Sequence, residues 1–141
     1  MGSKVYSEFL FRPTQASDID DLALMAAKVT PNDCADPDQL LFTAINKNGV
    51  VIAFLRFHTG QSQAVWSEFV YNPNFLKTDF KLAVLAQVKE AAAHFKKSDV
   101  VTATGLIVGA WKSFVKEQAV SLGYRVEDVP PEGSKSLVLR F

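Results

Sequence analysis

Glu68-Phe69-Val70-Tyr71-Asn72-Pro73 reads as a strand halted at a proline, and Asn74 to Asp79 then lead into a helix from about Phe80. Val, Phe and Tyr suit a pleated, half-buried surface, and proline cannot continue a central strand because it has no N–H to donate. A strand, a short loop and a helix N-terminus in that order can turn backbone N–H groups and the positive end of the helix dipole toward a bound anion. The loop here holds no glycine and ends in an acid. The outline of a phosphate site is present without its usual residues.

The flanking pattern makes this unit the centre of one α/β domain. Glu8 to Arg12 is an apolar run closed by Pro13, a first strand. Ser17 with Asp20 resembles a capping box, and Ile19, Leu22, Met25, Ala26 and Val29 recur at helical spacing, which predicts helix 1 over 17 to 29. Residues 30 to 37 read as a polar loop around Cys34, with a short second helix near 36 to 40. Leu40 to Ile45 and Val50 to Phe57 form a hairpin across Asn46-Lys47-Asn48-Gly49, and Ala64 to Tyr71 adds the next strand. Phe80, Val84, Val88, Ala91 and Phe95 make one helix face. A short strand at 99 to 103, a helix from about Val108 capped by Gly123, and strands at 124 to 129 and 136 to 141 complete the chain. The fold class is α/β (α+β), a single domain over 1–141 with a mixed, mostly antiparallel sheet flanked by helices.

Composition narrows the function. The chain is 48% hydrophobic with eleven Phe, enough for a sizeable core and against disorder. Lys+Arg and Asp+Glu both number 15, and such neutrality offers no support for nucleic-acid binding, which needs clustered cations. Cys34 is the only cysteine and His58 and His94 the only histidines, so no disulfide forms within the chain and a metal site is not expected. No apolar run reaches the roughly 18 residues of a membrane span, and no leader pattern is present, so a soluble cytoplasmic protein with no membrane partner is expected.

Several short motifs share a pattern. Phe11-Arg12-Pro13-Thr14 with Asp18, Gly49-Val50-Val51-Ile52-Ala53-Phe54, Val70-Tyr71-Asn72-Pro73 and Ser121-Leu122-Gly123-Tyr124 follow one another at set distances. In that order and spacing the chain resembles the GCN5-related N-acetyltransferase (GNAT) superfamily over nearly its whole length. The resemblance implies an acetyl-CoA site at the start of the helix after Pro73, with Val70, Lys77, Thr78 and Lys81 as cofactor-binding positions. Strands 4 and 5 splaying into an open cleft would support that site, and a cleft filled by Leu76, Phe75 or Trp111 would favour loss of the cofactor. The usual loop pattern P-x-x-R-G-x-G-x-G falls on Pro73 to Lys81, where Leu76 replaces the arginine and Lys77, Asp79 and Lys81 replace the glycines. A Cβ in such a loop stands between the N–H groups and the phosphates. The Asp79 carboxylate would take the same N–H groups and repel the anion, while Thr78 or Asp79 simply caps the helix.

The resemblance also implies a carboxylate on the central strand as general base, and Glu68, five residues before Pro73, holds that place. Strict alternation puts Glu68 on the strand face of Trp66 and Val70. The tyrosine that many relatives use to protonate the departing thiolate falls on Ala119, which has no proton to give. His94, His58 and Cys34 are read as solvated or bystander groups, and Trp66 and Trp111 as core or binding-surface residues. Two functions follow. One is a degenerate GNAT-fold protein, weakly active or noncatalytic, acting as a binding or accessory protein for a protein partner or small ligand, a phage-associated role included. The other is an acetyl-CoA-dependent N-acetyltransferase acting on a small-molecule primary amine. A homodimer fits either.

Overall fold

A computed structural model of the chain describes residues 4–6, 9–59, 63–75, 78–95, 100–103, 112–121, 123–128 and 137–140. Along them run β1 (Lys4–Tyr6), β2 (Phe9–Pro13), a 3-10 turn (Ala16–Asp18), α1 (Ile19–Leu24), α2 (Pro31–Ala35), β3 (Gln39–Asn46), β4 (Val51–Thr59) and β5 (Ala64–Tyr71). A second 3-10 turn (Pro73–Phe75), α3 (Thr78–Phe95), β6 (Val100–Ala103), α4 (Lys112–Ser121), β7 (Arg125–Asp128) and β8 (Leu137–Arg140) follow. This is the expected α+β winding with one strand more, β1, at the N-terminal edge. The strands form one sheet in the order β1-β2-β3-β4-β5-β6-β8-β7. Every neighbouring pair is antiparallel except β5 with β6.

Local chemistry explains where most elements start and stop. At the β3–β4 hairpin, Asn46 Oδ1 accepts the N–H groups of Asn48 and Val50 at 2.9 and 3.0 Å, and Gly49 takes φ +78°. At the end of α4, Gly123 (φ +83°) donates its N–H to Val120 and Tyr124 donates to Ala119, the paired bonds of a Schellman cap.

Helix 1 is shorter than its periodicity suggests. α1 ends at Leu24 because Ala26 turns left-handed (φ +63°), with Ala26 N–H donating to Ala23 and Ala27 N–H to Leu22. That is the same cap built on an alanine, at a steric cost of about 1–2 kcal/mol. The start differs too: the Asp18 carboxylate, not Ser17 with Asp20, accepts the Gln15 N–H at 2.9 Å. The second helix lies at Pro31–Ala35 rather than near 36 to 40. Thr30 Oγ1 accepts from the Asp33 N–H and Asp33 accepts from the Thr30 N–H, and Pro31 occupies the first helical position, where its missing N–H does no harm.

Two packed layers enclose the sheet. On one face Phe9, Phe11, Phe42, Leu55, Phe57 and Trp66 meet Phe80, Val84 and Val88 of α3 and Val115 and Ala119 of α4. Phe80 lies 5.4 Å from Phe9 and stacks at 6.1 Å on Phe11, which fixes the start of α3 against β2. Burial of each such ring contributes about 2–3 kcal/mol. On the other face Leu22, Ala27, Val29, Leu41 and Phe54 form a smaller cluster under α1, with Ile19, Cys34, Val51 and Val70 packed against it.

Beside that cluster, Arg12 donates to Asp18 through both terminal nitrogens, at 2.6 and 2.7 Å. Asp18 is 4% exposed, and Thr43 and Thr14 share a hydroxyl hydrogen bond of 2.7 Å nearby. Burial alone would push the Asp18 carboxyl up. The hydrogen bonds from Arg12 and the Gln15 N–H, with the Arg12 charge, hold it below the usual carboxylate range. The arginine-proline opening of the sequence is thus the anchor of α1.

Candidate functional site

β5 is regular on its β4 side except at one residue. Arg56 pairs with Glu68 and Phe57 with Trp66, which leaves Ser67 as an extra residue, a β-bulge. A bulge flips the alternation. Trp66 therefore faces α3, stacked at 6.0 Å on Phe57, while Glu68 and Val70 face α1. The expectation that Glu68 shares a face with Trp66 is corrected; only Val70 is its neighbour there.

The bulge follows directly on the described ladder between β5 and β6. The parallel ladder runs Ala64↔Val101, Val65↔Thr102 and Trp66↔Ala103, and β5 continues to Tyr71 beyond it. Asn72 N–H donates to Ile52 O at 2.8 Å on the β4 side. By alternation the main-chain groups of Val70 also turn to β4, and those of Phe69 and Tyr71 turn to the β6 side. Three polar atoms on and beside this ladder, Trp66 Nε1, Ser67 Oγ and Thr102 Oγ1, are buried without a hydrogen-bond partner among the described residues. Each orphan costs on the order of 1–3 kcal/mol while unsatisfied. Sequence patterning had not singled out Ser67, Phe69 or Thr102, because a bulge has no residue signature.

Glu68 is held by Arg56. Arg56 Nε donates to Glu68 Oε1 at 2.9 Å, Nη1 to Gln39 Oε1 at 2.8 Å, and Nη2 to the Lys28 carbonyl at 2.6 Å. Asp33 Oδ2 lies 3.4 Å from Nη1, and the guanidinium carbon lies 5.5 Å from the centre of the Phe54 ring. Gln39 Nε2 donates in turn to Asp33 and Asp36, both at 3.1 Å. The Thr30 N–H bonded to its carboxylate, with Gln39 and the Arg56 charge, holds Asp33 below the usual range. Cys34, half-buried beside it, has its thiol pushed up by burial and by the charges of Asp33 and Asp18, which makes it a poor nucleophile.

The other expected positions divide. Val70 is half-buried against Phe54 and Leu41, and Lys81 is half-buried in the first turns of α3. Lys77 and Leu76 lie outside the described residues, as do the side chains of Thr78 and Asp79, whose backbone opens α3. Trp111 also lies outside them. Ala119 is fully buried in the α3-side core. His94 is exposed near the end of α3, 5.1 Å from Phe95. Among the described residues no cluster of metal-ligating side chains occurs, and no helix is long and apolar enough to cross a membrane.

No protein-family model and no curated protein matches the sequence. Solved structures do match by shape. The PaiA N-acetyltransferase of Thermoplasma acidophilum, in complex with coenzyme A, superposes with a TM-score of 0.65 at 12% identity, over 99% of both chains. A GNAT-family acetyltransferase of Staphylococcus aureus Mu50 gives 0.62 at 11% identity, over 94% of this chain and 98% of the other. An aminoglycoside antibiotic 6′-N-acetyltransferase of Acinetobacter baumannii gives 0.61 at 14% identity, over 87% and 95%. The fold is that of the GNAT acetyltransferases, as the sequence motifs implied.

Proposed function

We propose that this protein binds acetyl-CoA, or another acyl-CoA, beside β5 at the start of α3 and transfers the acyl group weakly or not at all, serving as a binding or accessory protein. The carrying observation is the GNAT-like fold, with Trp66 Nε1, Ser67 Oγ and Thr102 Oγ1, on and beside the β5–β6 ladder, buried without a hydrogen-bond partner among the described residues. A pantetheine arm carries amide groups that can hydrogen-bond such atoms. The likeness in fold to the Thermoplasma protein, solved in complex with coenzyme A, supports a coenzyme A ligand.

Low turnover follows from the residues at the expected catalytic and phosphate positions. Glu68 shares one oxygen with Arg56, and Ala119 is a buried methyl where a proton donor would stand. Leu76, Lys77 and Asp79 replace the arginine and glycines of a pyrophosphate loop. A phage-associated role and a cytoplasmic setting are compatible with this reading.

The test is calorimetric titration with acetyl-CoA and with CoA. Micromolar binding is expected, weakened by Lys77→Ala and Lys81→Ala and tightened by Asp79→Gly, which removes a competing carboxylate. No heat and no thermal stabilisation with millimolar acetyl-CoA overturns the reading. An active amine N-acetyltransferase is the second reading. It is favoured by Glu68 Oε2, which takes no hydrogen bond from a described residue on a side chain 29% exposed. Steady CoA release with a primary amine, lost in Glu68→Gln, would establish it.

A further inference from the structure

Arg56 gathers four segments of the chain at one guanidinium: Glu68 on β5, Gln39 on β3, the Lys28 carbonyl beyond α1, and Asp33 in α2. Its side chain is only 11% exposed, on a sheet face otherwise covered by Phe54, Val70, Leu41 and Val29. A near-buried charge cluster is a poor stability device in such surroundings, where apolar side chains do as well or better. It does link two things. The guanidinium that engages Glu68 also draws residues 28–39 onto the sheet beside it.

We propose that Arg56 is an autoinhibitory clamp, holding the Glu68 carboxylate and the 28–39 segment together and so keeping acyl transfer to an amine low. This regulation rests on the acyl-CoA reading above. Transfer joins the amine nitrogen to the thioester carbonyl carbon and breaks the C–S bond. The electron pair leaves on the CoA sulfur, and the amine proton passes to Glu68 and then through water to the thiolate. With Oε1 engaged by Arg56 Nε and residues 28–39 drawn in, the carboxylate is not free to swing onto an incoming amine. Releasing the guanidinium frees both at once.

The experiment compares wild type, Arg56→Gln, Arg56→Lys and the double variant Arg56→Gln/Glu68→Gln. CoA release from acetyl-CoA is followed with a thiol reagent, n-butylamine serving as acceptor and a protein blank correcting for Cys34. Acetyl-CoA affinity is measured calorimetrically for each. Arg56→Gln should raise the rate about tenfold or more at unchanged affinity, a part of the roughly 10²- to 10⁴-fold that a positioned base supplies. Arg56→Lys keeps the charge but cannot bridge four acceptors, so it should give a smaller rise. Adding Glu68→Gln should return the rate to the wild-type level or below. If Arg56→Gln does not fold, Arg56→Lys and its Glu68→Gln partner carry the test. Binding with no gain in either Arg56 variant overturns the clamp alone, as does a gain that survives Glu68→Gln. No acetyl-CoA binding in any of the proteins overturns the acyl-CoA reading and the clamp with it.

Discussion

Trp66 and Glu68, two residues apart on β5, face opposite sides of the sheet, because Ser67 is the extra residue of a bulge between them. The bulge delivers a large ring to the α3 core and a carboxylate to the α1 face. It also follows directly on the described ladder to β6. One local irregularity thus separates packing from the candidate chemistry.

The unsatisfied Nε1 makes Trp66 a sensitive probe of that arrangement. The side chain is fully buried between Phe57 and Phe69, at 6.0 and 5.6 Å. Trp66→Ala should destabilise the fold by about 4 kcal/mol through lost burial and a cavity. Trp66→Phe keeps a stacked ring and deletes a buried donor that has no partner among the described residues, so its cost should be about 1 kcal/mol. Urea denaturation of both variants checks the pair. Equal losses would show that the indole N–H is satisfied in solution.

Arg12 and Asp18 govern a second response, to acid. The Asp18 carboxyl is held below its ordinary value of 3.8, so the folded state binds its proton less readily than the unfolded chain. Its contribution is complete above that ordinary value and is lost as the pH falls through the folded one. Asp18→Asn should cost about 3 kcal/mol at neutral pH, because it leaves the Arg12 charge unpaired. The gap between variant and wild type should close as the pH drops below 3.8. Asp33 and Asp36 are lowered too, so the wild-type dependence should diminish in the variant without vanishing. Denaturation midpoints across acid pH measure this. A gap that stays constant would deny the ion pair its role.

What the sequence made legible was local. Asn46 to Gly49 and Gly123 carry their turns in their own side chains or in the lack of one, and Arg12, Pro13 and Asp18 lie close enough in the chain to be read as a unit. The early end of α1 was not legible, since Ala26 adopts a conformation its side chain disfavours and gives no sign of doing so. α2 was misplaced by a few residues although Thr30-Pro31-Asn32-Asp33 holds its complete start signal. The site lay deeper. Glu68 could be named from its distance to Pro73, but its engagement by Arg56 joins two strands, and through Gln39, Lys28 and Asp33 it joins stretches far apart in sequence. No periodicity encodes such a contact.

Ala119 decides whether the missing proton donor could be restored by one substitution. It is fully buried on α4, beside Val115 in the α3-side core, and its carbonyl accepts the Tyr124 N–H of the helix cap at 2.8 Å. A phenol there has no open space to reach toward a departing thiolate and must displace packed neighbours. Ala119→Tyr should therefore lose about 1–3 kcal/mol of stability, the usual range for overpacking, and leave CoA release from acetyl-CoA unchanged. Thermal melting and the thiol assay on the same protein measure the two effects together. A stable variant with faster release would mean that position 119 opens onto the proposed acyl-CoA site and that the protein is one side chain short of an ordinary acid.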